Sequence, residues 1–173
     1  MAVSYIALGK ESPVDKPYLL YHKLIANTYL PGAGQPGFRQ KIEELTAGSS
    51  IAGELMAYAS KELSTDKLYF MLKAYFGTQE EEERLAFLSD IEGDFTTSSL
   101  IRRSYRHVTG NTAKFNQNFS KQKHGMDYFY FISHLFKLLG YKGWVLLFDE
   151  AELTGRLGKK TRIKSYREMQ NFL

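Results

Sequence analysis

The stretch Gly143–Leu153, GWVLLFDEAEL, constrains the fold more than any other part of the chain. Trp144 to Phe148 are apolar without alternation, and two adjacent carboxylates follow them. A strand with one wet face alternates apolar and polar residues, whereas a strand covered on both faces reads as a continuous apolar run. The run follows an apolar helical segment and a glycine turn, LLGYKG. It therefore reads as a central strand of a parallel sheet. A second strand is expected at Val3–Leu8, VSYIAL. Parallel strands need a crossover, usually helical, so the fold class is α/β.

The segments between the strands read as helices. DKPYLLYHKLIANTYL is amphipathic, with Pro17 in its first turn, and is expected to end at Pro31-Gly32. FRQKIEELTAG, SSIAGELMAYASKEL and STDKLYFMLKAYFG follow, with Ser49 or Ser50 as a cap and Gly48 and Gly77 as stops. TQEEEERLAFLSDIEG opens on a capping box, Thr78 with Glu81, and its acidic run Glu80–Glu83 suits the positive end of a helix dipole. TSSLIRRSYRHVTG is a further helix, and the polar segment from Gly110 to Gly125 reads as a loop. MDYFYFISHLFKLLGYKG is expected to be a long helix buried against the sheet. In the last segment Ile163, Tyr166, Met169 or Gln170, and Leu173 fall near one helical face.

The helices from about Phe38 to His107 are too many for one crossover. They read as an insertion, giving residues 1–37 as strand and helix of the core, 38–120 as a helical insertion or subdomain, and 121–173 as the rest of the core. The first strand starts almost at the first residue, and the last helix stops without a Gly or Asn cap. The chain is therefore expected to be an excerpt of a longer protein.

Composition excludes several chemistries. With 43% hydrophobic residues the chain can bury a core, and with no cysteine it has no thiol catalysis, disulfides or thiolate metal sites. The net charge of +4 is compatible with an anionic ligand. No apolar run approaches the about 18–20 residues that span a bilayer, and the N-terminus lacks the pattern of a secretory signal. A cytoplasmic location with no membrane partner is the expectation. The four histidines, His22, His107, His124 and His134, show no zinc-binding helical spacing.

The carboxylates of the opening stretch fall where ligands bind in open parallel sheets, at the C-terminal ends of the strands. An aspartate there can hold a magnesium ion and its water shell, and the glutamate beside it can orient or deprotonate a water. Asp149 and Glu150 thus fit the Walker B pattern, although a strand end meeting a helix start gives the same letters. Its partner would be GxxxxGK followed by Ser or Thr, between a strand and a helix. Three segments come near. ALGKES has Gly9-Lys10 but Glu11 in place of the hydroxyl and Ser4 in place of the first glycine. GAGQPGFR has Gly32, Gly34 and Gly37 but Phe38 in place of lysine, after a helix. GRLGKKT, Gly155–Thr161, has the residue types at the wrong spacing. None is a phosphate loop.

Two basic clusters are candidates for nucleic-acid or phosphate contacts. Arg102, Arg103 and Arg106 lie with His107 on one helix, followed by Lys114, Lys121, Lys123 and His124. Arg156, Lys159, Lys160, Arg162, Lys164 and Arg167 follow the acidic strand end. They could meet a DNA backbone or a neighbouring subunit's nucleotide, or form solvated faces.

YKGWVLLFDEAELTGRLGKKTRIKSYREMQNFL resembles the ATP-binding proteins of bacterial phage-exclusion (BREX) systems. The likeness rests on the strand ending in Asp149, Glu150 and Glu152, the basic stretch Lys159–Arg162, and Arg162 with Tyr166. VSYIALGKESPVDKPYLLYHKLIANTYLPG resembles the strand and helix that follow the phosphate loop in the same family. The resemblance covers roughly the first 37 and last 35 residues, and its P-loop is missing from this chain. It implies a partial P-loop NTPase core of the additional-strand type, in which Val3–Leu8 neighbours the Walker B strand. It implies ATP and Mg2+ as cofactors of the parent protein, Asp149 as the nucleotide-magnesium ligand and Glu150 as the catalytic residue. DNA and other defence-system proteins are further implied partners, and oligomerisation is possible in the parent. Without the phosphate loop, this chain alone is expected neither to hold nucleotide tightly nor to hydrolyse it. The alternative is a helical DNA- or protein-interaction module with no catalysis of its own.

Overall fold

In the computed structural model, residues 1–10, 12–34 and 36–172 are described. Glu11, Gln35 and Leu173, which enter the readings of ALGKES, GAGQPGFR and the last helix, lie outside the described residues. Strands β1 (Ala2–Ala7) and β2 (Trp144–Asp149) pair in parallel, from Ala2 opposite Trp144 to Ala7 opposite Asp149. The expected neighbours are thus adjacent, in a two-stranded sheet within a mixed helix–strand fold.

Strand alternation gives the sheet an inner and an outer face. Ala2, Ser4, Ile6 and Leu8 turn inward and are buried. Two helices cover that face, α1 (Pro17–Ala26) and α7 (Lys121–Leu138). Trp144 of β2 lies against α7, stacked on Phe129 at 5.7 Å and edge-on to Phe136 at 5.6 Å between ring centroids. The Trp144 indole N–H donates to Ser4 Oγ at 2.8 Å, and Ser4 Oγ also bonds Thr28 Oγ1 at 2.7 Å. The polar atoms of this partly buried corner are therefore satisfied, as burial requires.

Helix α1 begins at Pro17, as expected, but ends at Ala26 rather than at Pro31. The chain then swings to the far edge of β1. Tyr29 N–H donates to Val3 O at 2.7 Å, and Val3 N–H donates to Tyr29 O at 3.0 Å. Backbone groups on a strand edge need partners, and this bridge supplies them where further helix would not. β2 has no such second neighbour among the described residues, so the strand that reads as central sits at an edge. Its outward Leu147 is 48% exposed, beside Tyr5 at 54%.

The middle segment folds as α2 (Arg39–Glu43), α3 (Ser50–Lys61), α4 (Lys67–Gly77), α5 (Glu81–Ser89), a single π turn (Asp90–Asp94) and α6 (Ser98–Thr109). Ser49 is the cap of α3, its hydroxyl accepting from Ala52 N–H at 3.2 Å. Helix α2 covers less than half of FRQKIEELTAG. The Thr78 contact differs from the capping box. Its hydroxyl accepts from Glu80 N–H at 3.2 Å and donates to Glu83, not Glu81, at 3.0 Å. Gly77 is required for packing: a Cβ there would lie 2.0 Å from Val108 Cγ1 of α6, so the two helices approach through its missing side chain.

The segment read as a loop up to Gly125 is helical from Lys121. Its first turn is polar in sequence but docked in space. The His124 ring accepts the Ser120 N–H at 2.9 Å, and Gly125 lies against Tyr18, where a Cβ would come within 3.2 Å. One hydrophobic core cluster draws residues from all three segments, including Leu24, Leu72 and Phe136. Among the described residues no helix is long and apolar enough to cross a membrane.

Candidate acidic site at the strand ends

Asp149 is the last residue of β2 and is exposed, as is Glu150 after it. The parallel register puts Tyr5 on the same face two positions back, because Tyr5 pairs with Leu147. Tyr5 O–H donates to Asp149 Oδ2 at 2.6 Å, and Glu150 N–H donates to Oδ1 at 2.8 Å. Both bonds favour the ionised form, so Tyr5 first and the Glu150 amide second hold the Asp149 carboxyl below its ordinary value. The same bond raises the Tyr5 phenol above its ordinary value.

Glu150 has a φ of 54°, in the left-handed region. That conformation costs a non-glycine residue about 1–2 kcal/mol and turns the chain from the strand into a 3-10 turn, Ala151–Arg156. Sharp departures of this kind concentrate at functional positions. The result is two adjacent exposed carboxylates at the C-terminal end of a parallel strand. Among the described residues no three His, Asp or Glu side chains gather as a metal cluster. A magnesium ion held here would take one or two carboxylates and complete its shell with water and phosphate oxygens, which is its usual habit.

Replacing Tyr5 by Phe tests the geometry. The mutation removes the main stabiliser of the ionised carboxylate, so the Asp149 pKa should rise toward its ordinary value of 3.8. Carboxyl-carbon NMR titration reads this directly. An unchanged titration would mean the Tyr5 bond is absent in solution.

The basic candidates are placed on separate elements. On α6, Arg102 lies over the Phe115 ring at 4.8 Å, Arg103 pairs with Glu83 at 3.3 Å, and Arg106 reaches Thr112 at 3.5 Å. Each has an intramolecular contact. Lys159, Lys160 and Arg162 open helix α8 (Lys159–Gln170); the two lysines are exposed and Arg162 is half-buried. Arg162 donates to Gly155 O at 3.0 Å, and Lys164 lies 3.9 Å from Asp15. Helix α6 packs chiefly on α4, whereas α8 packs on the turn after β2.

His22 and His134 each meet a residue far along the chain. His22 Nδ1 bonds the Glu92 carbonyl at 2.9 Å, and His134 stacks on Tyr58 at 3.9 Å, where burial lowers its pKa. Sequence reasoning missed Tyr5 as the partner of Asp149. Its signal was parity along the strand, which has meaning only once the register with β2 is known. No family model, curated protein or solved structure matches this chain.

Proposed function

We propose that this chain carries the acidic half of a P-loop-type ATPase site, of the kind found in bacterial phage-exclusion systems. The observation that carries the reading is the position of Asp149 and Glu150, exposed at the C-terminal end of a parallel strand. Asp149, kept ionised by Tyr5 and the Glu150 amide, would hold the magnesium of a magnesium–nucleotide complex. Such an ion would neutralise charge on the phosphates. Glu150 would orient the attacking water and accept its proton. The apolar, half-exposed β2, with one edge unpaired among the described residues, suits a strand of a wider sheet. The phosphate-holding half would then come from outside this chain, together with the partners that such a system implies, ATP, DNA or other defence proteins.

The alternative, a helical DNA- or protein-interaction module, draws on the exposed basic start of α8. It loses force at α6, where Arg102, Arg103 and Arg106 already have aromatic, acidic and hydroxyl partners within the chain.

The test is ATP turnover by the polypeptide that contains this chain. Glu150→Gln should lower kcat by about 100-fold or more, the usual worth of a general base, while magnesium–ATP still binds. Asp149→Asn should weaken binding only when magnesium is present. Turnover at the normal rate in Glu150→Gln would end the assignment.

A further inference from the structure

Two segments that fail as phosphate loops in sequence meet in the fold. Leu8–Lys10 of the first, ALGKES, lies just past β1, and the second, GRLGKKT, comes after β2. Because the strands are parallel neighbours, both segments leave the sheet at the same edge. A cavity of about 520 Å3 lies between them. Its polar lining comes from Lys10, Ser12, Asp15 and Lys16 on one side and Thr154, Arg156 and Thr161 on the other. The volume is that of a small-molecule site, which typically runs about 300–1,000 Å3.

Backbone bonds tie the described residues after β1 to one another and to the end of β2. Gly9 and Ser12 exchange backbone bonds, Ser12 N–H to Gly9 O at 3.1 Å and Gly9 N–H to Ser12 O at 3.4 Å. Leu8 N–H donates to Asp149 O at 3.0 Å, which ties the first loop to the end of β2. Ser12 and Thr154 are buried, at 5% and 4% exposure. Ser12 Oγ accepts from Lys23 Nζ at 3.1 Å, which leaves its own proton to donate. Among the described lining residues the only carboxylate is Asp15, and Lys164 stands 3.9 Å from it. Lys10 and Lys16 from the segment after β1, and Arg156 from the segment after β2, thus line one cavity. Like charges so gathered repel, and an anion between them relieves the repulsion.

We propose that this cavity binds the phosphate group of a small phosphorylated molecule, without magnesium. Arg156 and Lys10 supply the charge, and the Ser12 and Thr161 hydroxyls supply donors. The assignment does not rest on Asp149 or Glu150, which contribute no lining side chain.

The experiment is calorimetric titration of the chain with inorganic pyrophosphate in EDTA. Saturable binding at one site is expected. The Lys10→Ala, Arg156→Ala double variant should bind about tenfold more weakly or worse, as loss of charge-assisted bonds predicts. Both side chains are exposed, and circular dichroism checks that the fold is kept. Thr161→Glu, which brings a carboxylate to the cavity, should give the same loss without deleting a cation, and Asp149→Asn should bind normally. No saturable heat with the unaltered chain overturns the proposal. So does binding that requires magnesium and disappears in Asp149→Asn but not in the double variant, since the anion would then sit at the acidic site. If a short DNA oligonucleotide binds more tightly per phosphate and displaces pyrophosphate, the small-molecule class is wrong and the face is a nucleic-acid surface.

Discussion

Replacing Asp90 with alanine should lower the unfolding free energy by about 3–5 kcal/mol, the usual cost of stranding one member of a buried ion pair. Lys67 Nζ lies 2.5 Å from Asp90 Oδ2, with side chains 1% and 0% exposed. Tyr128 O–H donates to Asp90 Oδ1 at 2.6 Å, and Lys67 Nζ donates to the Tyr128 oxygen at 3.0 Å. The ammonium also lies 4.2 Å from the centroid of the Phe119 ring. These contacts join α4, the π turn and α7, so Asp90→Ala loosens three elements at once. Thermal unfolding followed by circular dichroism measures the loss. The double variant Lys67→Met, Asp90→Leu should be less damaged than Asp90→Ala, because no charge is left without a partner. A wild-type melting temperature in Asp90→Ala would show that the pair is open in solution.

The same lysine gives a pH dependence with a definite sign. Burial lowers the Lys67 pKa from 10.5, and the Asp90 charge and hydrogen bond partly restore it. Between the folded value and 10.5 the unfolded chain binds the extra proton, so this group makes stability rise with pH across that window. Removing Asp90 deepens the lowering and widens the window. The deficit of Asp90→Ala should therefore shrink as pH rises from neutrality. The comparison belongs below pH 10.0, because Tyr21 and Tyr128 have phenols raised well above that value by burial. Their contribution is present below 10.0 and is lost as pH rises through their folded values.

Asp127→Ala should cost about 2–4 kcal/mol, from the loss of charge-assisted hydrogen bonds at a buried position. Asp127 is 5% exposed and lies in α7, yet its bonds go to the link between α3 and α4. Its carboxylate accepts from Ser64 N–H at 3.2 Å, Ser64 O–H at 2.8 Å and Thr65 N–H at 3.1 Å. Alanine leaves the Thr65 N–H, at a buried residue, without this acceptor, whereas the exposed Ser64 can turn to water. Asparagine keeps one carbonyl acceptor and should recover part of the loss. Denaturant unfolding of the two variants distinguishes the cases, and equal stability of both with the parent chain would refute the clamp.

Local rules in the sequence located most elements. The apolar run at Trp144–Phe148 and its acidic end marked a strand correctly, but the lack of alternation pointed to burial on both faces, whereas β2 is an edge strand among the described residues, with Leu147 exposed. Pro17 marked the start of α1, and Ser49 or Ser50 that of α3, where Ser49 is the cap, since proline tolerates a first turn and serine caps one. The π turn and the reach of Thr78 to Glu83 had no such mark, because side-chain reach depends on backbone placement rather than on spacing. The first turn of α7 read as loop for a related reason. Its residues are polar, and its helical state depends on contact with α1, a long-range term that propensity omits.

The sequence by itself determined the α/β class, a parallel strand pair and two carboxylates at a strand end. Each follows from neighbours along the chain, through alternation, capping and the length of apolar runs. Only the tertiary structure decided the rest. It set the register that brings Tyr5 to Asp149, the burial that pairs Lys67 with Asp90, and the shared strand end where the segments after β1 and β2 face one cavity. These are contacts between residues far apart in the chain. No local pattern encodes them, because their energy exists only after the intervening helices have packed.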